Sequence, residues 1–135
     1  MKVAFVGTSV KLTDNEDRDI RQFVSLILKD FPLDTIIISG GAKGVDSISL
    51  EIAKSLGYTT VVYEPINKTW TSFKERNLII AQECDQLFCL SVPVHKTRCY
   101  HHFGPQNHEK TAGCWTMKQA EKLGKQTRLL VMPSR

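Results

Sequence analysis

Apolar residues in this chain fall into short unbroken runs, separated by longer stretches in which they recur every three or four positions. The runs are Val3 to Val6, Thr35 to Ser39, Thr59 to Tyr63, Gln86 to Leu90 and Thr127 to Met132. A run without polar alternation reads as a strand buried on both faces, the mark of a parallel sheet between helices. Between the first two runs, Ile20, Phe23, Val24, Ile27, Leu28 and Phe31 follow helical spacing. The acids between Asp14 and Asp19 stand at that helix's start, where its dipole favours negative charge. A second helix after Gly44 is expected to bury Val45, Ile48, Ile52, Ala53 and Leu56, with Gly57 as a left-handed stop. A third is expected from about Ser72 to Glu83, and a fourth from about Cys114 to Leu123, ended by Gly124. Each parallel crossover requires a helix, so the alternation predicts a single α/β domain over residues 1–135 with a Rossmann-like, doubly wound parallel sheet of about five strands.

Residues 91–113, "SVPVHKTRCYHHFGPQNHEKTAG", break the pattern. They carry no apolar period and exceed the ~2–6 residues of an ordinary strand-to-helix loop. All four histidines and two of the four cysteines lie between His95 and Cys114. The order Cys99, His102, His108, Cys114 approximates a zinc knuckle, with His101 or His95 as substitutes. Tetrahedral Cys/His coordination of structural zinc would tie the insert down as a lid before the last helix. The alternative is an exposed histidine-rich loop with Cys114 buried at the helix start.

The chain has 135 residues, 41% of them hydrophobic, enough for one core and too few for two. "MKVAFVG" does not read as a signal peptide, and no apolar run approaches the ~18 residues of a membrane span, so a cytoplasmic protein with no membrane partner is expected. Four cysteines in that setting read as thiols or metal ligands rather than disulfides. The net charge of +4 is uneven: residues 1–93 carry 10 Lys/Arg against 12 Asp/Glu, and residues 94–135 carry 8 against 2. A basic C-terminal third suits either a polyanion or phosphate partner or a solvated, lysine-rich helix face.

Three glycine-bearing loops follow strands or precede a helix. Gly7, Thr8 and Ser9 end the first strand; Gly40, Gly41, Ala42, Lys43 and Gly44 follow the second; Gly113, Cys114 and Thr116 open the last helix. Glycine lets backbone approach a ligand oxygen, and helix-start amides favour negative charge. In an open parallel sheet such loops converge beyond the strands' carboxyl ends, so together they describe a phosphate or ribose cradle. Lys43 reads as a phosphate contact or an exposed turn residue. Asp46 repels phosphate, so it would accept from a ribose hydroxyl or a base edge, or lock its own loop through backbone amides.

The combination of "FVGTS", "SGGAKGVDSISLEIAKSLG", the Trp70 to Asn77 run "WTSFKERN" and "GCWTMKQAEKLGK" resembles the Rossmann-like superfamily of the LOG phosphoribohydrolases and the DNA-processing protein DprA, and most of all its small bacterial and phage members. The similarity covers nearly the whole chain apart from the insert. It implies a nucleotide or nucleotide-derived ligand, sensed or processed, and a homo-oligomer. LOG-type hydrolysis of nucleoside monophosphates would place Arg76, with Asn77 beside it, in the site. The family's catalytic glutamate falls on Met117, which cannot manage a proton, leaving Glu64 as the candidate acid. A DprA-like reading would put single-stranded DNA on Lys118, Lys122, Lys125 and Arg128. The 11 aromatic residues form no stacking ladder, so this reading ranks third. The sequence leaves catalysis open.

Overall fold

The computed structural model describes residues 1–9, 11–92 and 112–132. They form β1 (Lys2–Gly7), α1 (Asp14–Leu28), β2 (Ile36–Ser39), α2 (Val45–Ser55), β3 (Thr59–Val62), α3 (Trp70–Glu83), β4 (Gln86–Ser91), α4 (Ala112–Lys122) and β5 (Gln126–Val131). The strands make one parallel sheet in the order β3-β2-β1-β4-β5. The alternating helix and strand pattern is therefore realised as a five-stranded parallel sheet with four helices.

Two apolar clusters flank the sheet. On one face Ile20, Val24 and Leu28 of α1 and Val45, Ile48 and Ile52 of α2 meet Val3, Phe5, Ile37, Phe88 and Leu90. On the other, Ile80 and Ala81 of α3 and Cys114, Met117 and Ala120 of α4 meet Ala4, Val6, Ile38, Leu87 and Cys89. Side chains alternate across a strand, so the adjacent residues Ala4 and Phe5, or Ile37 and Ile38, feed opposite clusters. Each large side chain so buried contributes on the order of 1.5–3 kcal/mol relative to exposure. The edge strands differ, since Val62 and Val131 stay about two-fifths exposed, having a neighbouring strand on one side only.

Helix limits depart from the sequence expectation for local reasons. Thr13 and Glu16 close a reciprocal capping box at the start of α1 (3.1 and 2.9 Å). Phe31 lies beyond the end of α1, because the following Pro32 disfavours the helical region for it, yet it still packs against the core edge-on to Phe88. Leu56, expected to be buried, caps α2 and is 43% exposed. Helix α3 starts at Trp70 because the Thr69 hydroxyl accepts from the Ser72 amide (3.3 Å). Helix α4 begins two residues earlier than expected, so Gly113 and Cys114 belong to its first turn. Among the described residues no helix is long and apolar enough to cross a membrane.

Candidate functional site

The strand order reverses direction at β1, whose neighbours β2 and β4 lead to helices on opposite faces. Beyond the carboxyl ends of these strands is the place where doubly wound sheets take ligands. A cavity of about 140 Å³ lies there, walled by Val6, Gly7, Ser9, Ala42, Asp46, Phe73, Arg76, Asn77, Gly113 and Thr116. All three glycine-bearing loops and α3 therefore contribute to one space.

The β2–α2 turn is held from both sides. Gly44 sits at φ +83°, and a Cβ there would stand 2.3 Å from the Thr8 carbonyl, so only glycine lets the turn reach the β1 loop. The contact is fixed by the Val45 amide, which donates to that carbonyl at 3.0 Å. Gly40 has a different reason. A Cβ there would meet Arg76 Nη1 at 2.4 Å, where the guanidinium instead donates to the Gly40 carbonyl at 2.6 Å. Arg76 Nη1 also reaches the Tyr63 carbonyl (3.3 Å), Nε donates to Asn77 Oδ1 (2.6 Å), and the group stands 5.7 Å from the centre of the Phe73 ring. Nη2 donates to no described residue.

Asp46 is 8% exposed in the first turn of α2. Burial pushes its carboxyl up to about 6, against the opposing pull of the Ala42 amide and the Arg76 charge. The Ala42 amide donates to Oδ2 at 3.3 Å, so the acid does lock its own loop. The nearby Ser39 side chain also helps to hold the carboxyl down, and its hydroxyl lies 2.8 Å from the Phe5 carbonyl. Burial also lowers the pKa of Arg76, with the Asp46 charge opposing. The site thus holds one cation and one acid whose protonation changes near neutrality, a combination suited to a ligand carrying both phosphate and hydroxyl groups.

The other candidates are distributed as follows. Thr8 is fully buried, and its hydroxyl is used internally, accepting from the Val92 amide (3.3 Å) and approaching Ser91 Oγ (3.4 Å). Lys43 is exposed and borders a separate depression with Lys11, Arg21 and Glu51 on the far side of Gly44. Glu64 is exposed beside a groove that also touches Gly40 and Gly41, and it lines no part of the cavity. Met117 is fully buried in the core. Lys125 and Arg128 lie at and near the start of β5, at the opposite sheet edge from the cavity, because α4 runs back along the sheet away from it. Of the zinc candidates, Cys99, His102 and His108, with His95 and His101, lie outside the described residues. Cys114 is fully buried among side chains of α3, α4 and the sheet. Among the described residues no group of three or more His, Cys, Asp or Glu converges as a metal site would need.

Two wall residues were missed in the sequence, Val6 and Phe73. Phe73 lies three residues before Arg76 and so on the same helix face, a signal that was available.

No family model and no curated protein matches the sequence. Solved structures are similar. DNA processing protein A (DprA) from Streptococcus pneumoniae is 17% identical with a TM-score of 0.66, over 99% of this chain and 50% of that one. TM1055, a LOG-family protein, is 15% identical with a TM-score of 0.63, over 93% of this chain and 71% of that one. The chain spans about half the length of DprA. At such identities the likeness is one of architecture, and the chain has the Rossmann-like fold shared by DprA and the LOG protein TM1055.

Proposed function

We propose that the cavity binds a nucleotide or nucleotide-derived ligand by its phosphate and ribose, as a sensing or processing domain. The observation that carries this reading is the convergence of Gly7, Asp46, Arg76 and Gly113, from four separate elements, on one space at the strand ends. The N-terminus of α4, where Gly113 lines the cavity, suits a phosphate, helped by Arg76 Nη2. Asp46 suits a ribose hydroxyl, which it can serve as acceptor when ionised. Thermal unfolding in the presence of nucleoside monophosphates tests the reading: a ligand at 100 times its dissociation constant is expected to add ~2.7 kcal/mol of stability. No shift with any monophosphate would sink it.

One observation favours hydrolysis as a second reading. Asp46 is the cavity's carboxylate, and a carboxyl raised to about 6 is matched to proton transfer near neutral pH. N-glycosidic cleavage of a monophosphate would then use Asp46 in place of the glutamate that this chain lacks, and similarity to a LOG-family fold is in its favour. Free base released from AMP, and lost in Asp46→Asn, is its signature. The name of DprA invites a DNA reading, but the lysines and arginine expected to serve it include Lys125 and Arg128 at the other sheet edge.

Self-association has its own support. Leu78 and Ile79 stand side by side on the outer face of α3, 37% and 42% exposed. Light scattering at micromolar concentration is expected to report a dimer, reduced to monomer by Ile79→Lys. A monomer mass for the unaltered chain counts against it.

A further inference from the structure

We propose that the open groove beside the cavity is the seat of the ligand's nucleobase; this rests on the nucleotide reading of the cavity. The first argument is size. Sites that enclose a small molecule measure ~300–1,000 Å³. The cavity, at about 140 Å³, can hold only part of a nucleotide. The remainder has to continue into a neighbouring space.

Among the described residues two spaces adjoin it. The depression around Lys43 shares only Ser9 with the cavity, and its charged wall is occupied by Arg21, bonded to Asp17 (2.7 Å) and Glu51 (3.3 Å). The groove, about 510 Å³, lies between the Gly40–Ala42 turn and the loop after β3, and shares Ala42, Phe73 and Arg76 with the cavity. Arg76 therefore forms the wall common to both spaces, and a ligand held by phosphate and ribose on one side of it can carry its base over the other.

The groove also has the surface a base needs. Ile66 is 88% exposed on its lip next to Pro65, an apolar side chain left out of both core clusters of the described residues, and Phe73 adds an aromatic ring behind it. At the edge stand an acceptor and a donor. The Glu64 carboxylate has no partner among the described residues. The Asn67 side-chain oxygen is taken by the Thr69 amide (3.0 Å) and hydroxyl (2.6 Å), so Asn67 offers its amino group outward. A flat heterocycle with donors and acceptors on its rim satisfies both halves of this arrangement; a bare sugar phosphate has hydroxyls for the edge but no flat face for the apolar surface.

Calorimetric titration with AMP and with ribose 5-phosphate tests this on the whole chain and on Ile66→Asp, an exposed position whose change leaves the core intact. The unaltered protein is expected to bind AMP at least tenfold more tightly than ribose 5-phosphate. Ile66→Asp is expected to remove that difference while leaving ribose 5-phosphate affinity unchanged. Equal affinities in the unaltered protein, or an Ile66→Asp variant that keeps the full preference for AMP, would overturn the groove while sparing the cavity. Loss of the preference in Trp70→Ala alone would overturn it too, placing the base on the half-exposed Trp70 instead. If neither compound binds, the cavity reading fails and this inference with it.

Discussion

Replacing Arg76 by alanine is expected to lower folding stability by about 3–5 kcal/mol, the scale of removing one partner from a buried charged network. The guanidinium is the hub through which three elements meet: the Gly40 carbonyl at the end of β2, the Tyr63 carbonyl after β3 and the Asn77 side chain on α3. Truncation leaves the Gly40 carbonyl without its donor and Asp46 without the nearby positive charge. Against a total stability of ~5–15 kcal/mol, that is a large fraction. Arg76→Lys keeps the charge but not the fork, so it should recover part of the stability. It should recover little ligand-induced stabilisation, because a single ammonium cannot hold the Gly40 carbonyl, Asn77 and a phosphate together. Denaturant unfolding of both variants, with and without nucleotide, checks each half. A loss below about 1 kcal/mol in Arg76→Ala, no more than one ordinary hydrogen bond, would show that the turn holds itself and that Arg76 is only a cavity wall.

How much of this was legible beforehand follows from which forces are local. Strands β1, β2 and β4 were readable because burial on both faces forces continuous apolar runs such as Val3 to Val6. Gly40, Gly44 and Asp46 were readable as site candidates because each breaks a local pattern, as glycines in a strand-end turn and an acid beside them, whereas Arg76 was suggested only by the resemblance of the Trp70 to Asn77 run to the LOG family. What the sequence could not show was direction. Lys43 and Asp46 are three residues apart, yet they border different spaces, because the turn at Gly44, with φ +83°, separates them. Thr8 stands between two residues that line the cavity but spends its hydroxyl on the end of β4, a choice set by the neighbouring strand. Of the basic residues near the C-terminus, Lys125 and Arg128 lie away from the ligand edge, since a helix following a parallel strand runs back along the sheet. Ile66 was passed over because one exposed apolar residue is ordinary, and only the groove around it gives it meaning.

Asp46→Asn is expected to change the pH dependence of stability strongly between acid and neutral pH. Folding raises the Asp46 carboxyl to about 6 from an unfolded value of ~3.9. Between those values the folded chain holds a proton that the unfolded chain has released, so stability falls as pH rises through that window. The protonated acid carries no such penalty below the unfolded value. Above about 6 the penalty is complete, at about 3 kcal/mol, because each tenfold change in proton affinity is worth ~1.4 kcal/mol. Asparagine keeps an oxygen for the Ala42 amide and never ionises, so it lacks this slope. The attraction of the ionised acid to Arg76 adds nothing further to this slope, because it is already one of the influences that set the value of about 6. Measured by urea unfolding, the stability of Asp46→Asn relative to the unaltered chain should therefore rise by about 2 kcal/mol between roughly pH 4 and pH 8. Parallel pH profiles would mean that the carboxyl titrates normally and is solvated. Nucleotide binding should move the other way: the ionised acid is the better acceptor for a ribose hydroxyl, so ligand-induced stabilisation of the unaltered chain should strengthen as pH rises through about 6, while Asp46→Asn shows a weaker response that follows only the second ionisation of the ligand's phosphate, near ~6. A buried acid that destabilises the apo fold in the range where it best accepts from a ligand is one whose presence the fold alone does not account for.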